Sequence, residues 1–192
     1  LAEGFARGDE VTCSVVPSNG KKSGDVQSST VIIGNAAPAL SNVLLSPLEP
    51  TTLDSLTCSF DEPTDIDGDT DFSFDISWAV NDGRISASGE VLDGSLFERA
   101  DSVQCFVTVS DGETSSVEVA SNTVTVLNTA PSVEGVYIDP PNPLPDDTLI
   151  CDYDAFIDAD DDPDQSLIEW FINGVFAGEG VTLGSGFEAG DT

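Results

Sequence analysis

The chain has no histidine and no methionine, and only 5 of its 192 residues are lysine or arginine. Without histidine, the commonest general base and the commonest metal-ligating side chain are both missing. So few cations exclude nucleic acid as a partner, because gripping phosphates takes lysine and arginine. They also disfavour an anionic membrane surface. No apolar run approaches the length of a membrane span. None of the four cysteines, Cys13, Cys58, Cys105 and Cys151, sits in a C-x-x-C pair, so a zinc or redox motif is not expected. Their wide spacing fits long-range disulfides and a compartment outside the cytosol. No signal peptide and no initiating methionine open the chain, and "LAEGFARGDE" reads as the middle of something longer.

What is abundant is acid. The chain carries 36 aspartates and glutamates, for a formal net charge of -31. Its hydrophobic fraction of 39% separates it from a disordered acidic tail. The balance suits a soluble chain that meets cations or high salt.

The sequence also repeats itself. "NAAPALSNVLLSPLEPTTLDSLTCSFDEPTDIDGD" from Asn35 aligns without gaps to "NTAPSVEGVYIDPPNPLPDDTLICDYDAFIDADDD" from Asn128, an offset of 93. Cys58 falls on Cys151 and Asp61 on Asp154, while Asp65, Asp67 and Asp69 fall on Asp158, Asp160 and Asp162. "FARGDEVTCSVVPSNG" from Phe5 aligns with "FERADSVQCFVTVSDG" from Phe97, and "LGSGFEAGDT" from Leu183 with "LAEGFARGDE" from Leu1. The expected organisation is the back of one repeat over 1–35, a complete repeat over 36–128 and the front of a third over 129–192, a window on a longer array.

Each repeat reads as all-β. Phe72, Phe74, Ile76, Trp78 and Val80 alternate with small or polar residues, as do Val103, Cys105, Val107 and Val109. "SNG" at Ser18, "NDG" at Asn81, "SDG" at Ser110 and "NG" at Asn173 are hairpin-turn signals. No segment has a helical period. About seven short strands per repeat, with turns roughly every ten residues, predict a sandwich.

Cys58, Trp78 and Cys105, in that order, resemble the immunoglobulin fold, where a disulfide joins the two sheets and the tryptophan packs against it. The tyrosine usual two residues before the second cysteine is replaced by Val103 and, in the first partial copy, by Val11, so the match is Ig-like. The resemblance implies a Cys58–Cys105 bond, and these are the one cysteine pair within a single complete repeat. A bridge closing roughly 48 residues contributes about 4 kcal/mol in the chain-entropy account.

In that frame "DEPTDIDGDTD" from Asp61 and "DAFIDADDDPD" from Asp154 are the same loop, between the cysteine strand and the tryptophan strand. Calcium takes six to eight hard oxygen ligands, and alternate aspartates on a curled loop can aim several carboxylates at one centre. The expected ligands are Asp61, Asp65, Asp67, Asp69 and Asp71 in one copy and Asp154, Asp158, Asp160, Asp162 and Asp164 in the other. The loop is not an EF-hand, since Thr70 and Ile76 stand where that motif needs glycine and glutamate. Gly68 is replaced by Asp161 in the second copy, which argues against a strict glycine conformation. The competing readings are a solvated acidic loop that keeps the array soluble and an adaptation to high salt.

The "D-x-D-G-D" loop ahead of a tryptophan hairpin, and the "NAAP" and "NTAP" junctions, resemble tandem Ig-like repeats of secreted bacterial and archaeal surface proteins, akin to PKD and cadherin-like modules. The likeness runs the length of the chain, with a partial match at "WAVNDG" and "WFING", where PKD modules continue W-D-F-G-D-G. It implies extracellular or cell-surface stalks, adhesins or fibres, sometimes appended to secreted hydrolases, with calcium as a stiffener. The partners it implies are neighbouring repeats and self-assembly into a filament.

Three functions compete. The first is a structural module of a calcium-stiffened fibre, stalk or adhesin. The second is a glycan- or protein-binding Ig-like module attached to a secreted hydrolase, for which exposed aromatics would speak; by parity Phe106 and Phe171 face outward. The third, two-carboxylate glycoside chemistry, needs a cleft and separated pKa values. A repeated, solvated loop provides neither, and no enzymatic activity is expected.

Overall fold

The strict alternation around Cys105 becomes the longest strand of the molecule. In a computed structural model describing residues 4–184 and 187–192, Val103, Cys105, Val107 and Val109 are fully buried along it. The chain is all-β, with several antiparallel sheets and no α-helix among the described residues. Among the described residues no helix is long and apolar enough to cross a membrane. It divides into two compact units, residues 1–50 with 54–126, and residues 51–53 with 127–192.

The first unit contains β1 (Glu10–Val15), β2 (Gln27–Ile32), β3 (Leu44–Ser46), β4 (Leu56–Ser59), β5 (Ser73–Val80), β6 (Gly83–Ser88), β7 (Val91–Leu92), β8 (Ser102–Ser110), β9 (Val119–Ala120) and β10 (Val124–Thr125). β1 and β2 form a hairpin of their own. The other strands make one sheet in the order β3-β4-β7 and a second in the order β10-β8-β5-β6, with β9 also on β8. Leu45, Leu56 and Leu92 from one sheet share a core with Ile76, Trp78 and Val107 from the other, consistent with a β-sandwich. Cys58 on β4 is bonded to Cys105 on β8 across that core, with the Cα atoms 6.2 Å apart. Trp78 lies directly opposite Cys105 in the β5–β8 ladder and is fully buried. Its indole N–H, which burial would otherwise leave unpaired, donates to the Gly89 carbonyl at 2.9 Å.

The turns follow from their residues. Asn81 and Asp82 both adopt positive φ between β5 and β6, the geometry a two-residue hairpin loop needs to match strand twist. Asn81 then donates from its side chain to Asp101 at 2.6 Å, tying the hairpin to the start of β8.

The second unit contains β11 (Ser132–Glu134), β12 (Tyr137–Asp139), β13 (Leu149–Asp152), β14 (Ala155–Ile157), β15 (Glu169–Ile172), β16 (Val175–Glu179) and β17 (Thr182–Leu183). They pair as β11-β14, β12-β13-β17 and β15-β16. Bonds of the first unit recur at aligned residues. Trp170 Nε1 donates to the Gly180 carbonyl at 2.8 Å, and Asn173 donates to Asp191 at 2.7 Å. The thiols of Cys13, exposed, and Cys151, half-buried, are free.

Candidate metal centre

Repulsion and backbone satisfaction together shape the loop after β4. Alternate residues Asp65, Asp67 and Asp69 turn inward to half-buried positions, while Ile66 between them is 89% exposed. Asp65 curls the loop by accepting the Asp67 N–H on Oδ1 at 2.7 Å, an Asx-type turn. Gly68 takes positive φ to complete the bend. Asp161, its counterpart, does the same at φ 58°. The conformation is thus shared, and aspartate reaches it because its short polar side chain tolerates the left-handed region.

β5 leaves the loop and pairs with β8 from Ser73 opposite Ser110. That register delivers Asp111, the residue after β8, to the loop's inner face. Asp65, Asp69 and Asp111 each offer a carboxylate oxygen, all within 4.8 Å of one another. No other such acidic group occurs among the described residues. Asp111 Oδ1 accepts the N–H groups of Glu113 and Thr114, each at 2.8 Å. The Thr114 N–H, and after it the Asn35 side chain, hold its pKa down at about 2, so it is ionised at neutral pH. Asp65 Oδ2 is buried with no hydrogen-bond partner. A buried carboxylate oxygen without a donor is costly, and a cation would satisfy it.

The loop also holds the segment between β2 and β3. Asp67 Oδ2 accepts the Ala36 N–H at 2.7 Å, and Asn35 donates to Asp111 Oδ2 and Thr114 Oγ1, each at 2.8 Å. Arg7, from the turn ahead of β1, reaches Asp69 with two nitrogens, bonds Asn35 Oδ1 and lies 3.9 Å from Glu113. Its pKa is raised chiefly by the Asp69 hydrogen bond.

The second acidic loop repeats part of this. Asp158, Asp160 and Asp162 are half-buried. Asp158 Oδ1 accepts from the N–H of Asp160 and of Asp162, each at 2.9 Å. Its Oδ2 is buried without a partner, as in Asp65. Asp160 Oδ2 accepts the Thr129 N–H at 2.6 Å, the counterpart of Ala36 on Asp67.

The remaining expected ligands lie elsewhere. Asp61, at the end of β4, is held by Ser41 and Asn42. The Asp154 carboxylate occupies the space over the Gly135 backbone that a Cβ would fill. Asp71 is exposed, and Asp164 bonds Tyr153 and Ser166. Sequence reasoning missed Asp111, Asn35 and Arg7. The available signal was the pairing of the strand after the loop with the strand before "SDG", which brings Asp111 to the aspartates. Of the two outward aromatics, Phe106 is half-covered by Arg84, whose guanidinium carbon stands 3.4 Å from the ring centroid, and Phe171 is exposed beside Phe176.

No protein-family model matches the chain, and no curated protein matches it either.

Proposed function

We propose that the chain is a set of tandem Ig-like modules from a long extracellular repeat protein, a fibre, stalk or adhesin whose joints are stiffened by calcium and which carries out no catalysis. One observation carries the reading: the linker residues Asn35 and Ala36 are hydrogen-bonded into the same acidic loop where Asp65, Asp69 and Asp111 converge. A cation held by those three carboxylates would satisfy Asp65 Oδ2 and cancel their repulsion. In doing so it would fix the loop that grips the linker. Hard carboxylate oxygens suit calcium, and three aspartates leave the rest of its six to eight ligands to solvent and backbone. The bridged sheets, the acid-rich surface and the recurrence of the linker bond at Thr129 and Asp160 support a module used repeatedly. The disulfide supports an oxidising, extracellular setting.

Calorimetric titration with calcium, coupled to thermal unfolding in calcium and in chelator, tests the metal. The expected result is saturable binding and a higher midpoint in calcium, both weakened by Asp65→Asn. An unchanged midpoint would leave the loop a solvated acidic surface. Small-angle scattering of longer multi-repeat chains tests the fibre, with a spacing of roughly 30–45 Å per module expected from strands of eight to ten residues plus a linker.

A further inference from the structure

Alternation along β8 gives the first sandwich an outer face of its own chemistry. Val103, Cys105, Val107 and Val109 point into the core, so Gln104, Phe106 and Thr108 point out. The ladders set their neighbours. On β5, Ser77 lies opposite Phe106 and Asp75 opposite Thr108. Ser88 of β6 lies opposite Ser77, and Ala120 of β9 lies on the other side of Phe106. The face is made entirely by strands between residues 73 and 125. The β5–β6 ladder shifts register between Ser77 and Trp78, and such a bulge blunts the edge of the sheet against strand pairing. A partner therefore meets the face rather than the edge.

Arg84 lies across this face. From β6 it reaches over β5, and its guanidinium carbon stands 3.4 Å from the centre of the Phe106 ring. Nη1 donates to Ser77 Oγ at 2.5 Å, and Nη2 donates to the Glu118 carboxylate just ahead of β9. These bonds use two of the five N–H donors of a guanidinium. The Arg84 and Glu118 side chains are 44% and 47% exposed, so unspent donors and carboxylate lone pairs reach solvent side by side. Stacking on the ring holds the guanidinium flat and removes its rotamer freedom before any ligand arrives. The fold does not need this arrangement. The core cysteine and tryptophan recur along the chain, yet Ser14 stands at the place of Phe106, Val26 at that of Glu118 and Phe176 at that of Arg84.

We infer that the face around Arg84, Phe106 and Glu118 binds a neutral polysaccharide. Neighbouring hydroxyls on a sugar ring each donate and accept, so they need a fixed donor beside a fixed acceptor. The spare N–H groups of Arg84 and the carboxylate of Glu118 meet that need, with the hydroxyls of Ser77 and Thr108 next to them. The part of the Phe106 ring that Arg84 leaves uncovered offers apolar surface to the sugar's C–H groups. A net charge of -31 repels polyanions, which leaves an uncharged chain as the hydroxyl-rich partner that can approach. Within a stalk or fibre this module would then be a point of attachment as well as a spacer. The inference stands apart from calcium, because the face shares no residue with the acidic loop.

Affinity electrophoresis of the whole chain tests this, in native gels containing dextran, laminarin or mannan, with polygalacturonate as the anionic comparison. Chelator is present throughout, which separates the outcome from calcium binding. Retardation in at least one neutral gel is expected. Arg84→Ala and Phe106→Ser should each weaken it at least tenfold. Arg84→Lys, which keeps the charge, should weaken it as well, because an ammonium lacks the flat fork that stacks on the ring. Thr57→Ala, exposed on the other sheet, should leave it unchanged. Thermal midpoints close to that of the unaltered chain show that the variants fold. No retardation in any neutral gel, retardation in polygalacturonate alone, or retardation that persists in the Arg84 and Phe106 variants would each overturn the inference.

Discussion

Arg7 grips both carboxylate oxygens of Asp69, Nη1 to Oδ2 at 2.8 Å and Nη2 to Oδ1 at 3.1 Å. The guanidinium therefore already supplies positive charge to one of the three acids that converge on the candidate centre. It competes with any metal for Asp69, and it ties the turn before β1 to the loop when no metal is bound. Arg7→Ala should tighten calcium binding by about threefold, the scale expected of an exposed ion pair. The same change should lower the unfolding midpoint in chelator. Weaker calcium binding in this variant would mean that Arg7 organises the site.

Asp67 is expected to matter to the joint more than to the metal. Its Oδ2 accepts the linker N–H of Ala36, and truncation leaves that half-buried donor unpaired, at about 1–3 kcal/mol. Asp67→Ala should lower stability by this amount, and Asp67→Asn, which keeps an acceptor oxygen, by less. Asp160→Ala should cost more, because Asp160 accepts from Thr52 Oγ1 as well as from the Thr129 N–H. Denaturant unfolding of the three variants checks the order.

Trp78 fills the centre of the first sandwich with no exposed surface and a satisfied indole N–H. Trp78→Ala should destabilise that unit by about 3–5 kcal/mol, the loss of a large buried aromatic plus the cavity it leaves. Trp170→Ala should cost less, since Trp170, though buried, lines an apolar cavity of about 1060 Å³. The two midpoints in a chemical denaturation series give the comparison directly.

The only two tyrosines titrate in the alkaline range, and both lie beside aspartates. The Asp152 charge raises Tyr137, and the hydrogen bond to Asp164 raises Tyr153. A group whose folded pKa is raised adds stability below its unfolded value and loses it as pH climbs through the folded value. Tyrosinate absorbance should therefore rise with a midpoint above about 10, the value of a free phenol. Asp164→Asn should bring the Tyr153 midpoint down. A folded protein titrating at the free value would contradict both contacts.

Periodicity made much of the first unit legible, because its side chains report their own burial. Alternation located β5 and β8, and the cysteine and tryptophan positions placed the bridge that Cys58 and Cys105 form. Asn-Asp-Gly and Asn-Gly located the hairpins, because few residues accept positive φ at both central positions. The acidic site was legible only in part. Asp65, Asp67 and Asp69 share a short loop and announce themselves, but their roles diverge: Asp65 and Asp69 face Asp111, and Asp67 turns to the linker. Asp111 is 40 or more residues away in sequence and reads as an ordinary turn residue, and only strand register brings it in. Asn35 stands 30 or more residues ahead of the loop and Arg7 farther off than Asp111, and their approach depends on how the hairpin before the sandwich packs on it. Asp61 and Asp154 share the repeated pattern but stand ahead of the curled part of each loop, where Asp61 is bonded by Ser41 and Asn42 and the Asp154 carboxylate lies over Gly135.

The Cys58–Cys105 bridge has a mechanical meaning in any molecule that bears tension. A sandwich pulled from its two ends unravels, and each freed residue adds up to about 3.5 Å of length. The bridge encloses a sequence separation of 47 residues, which withholds about 160 Å from that extension. Stretched singly, an oxidised module would pay out only its outer segments before stopping short, while a reduced one would run on by that further length. The covalent loop thus sets the module's maximum reach under load and leaves the Trp78 strand folded inside it as a reserve from which the sandwich can close again.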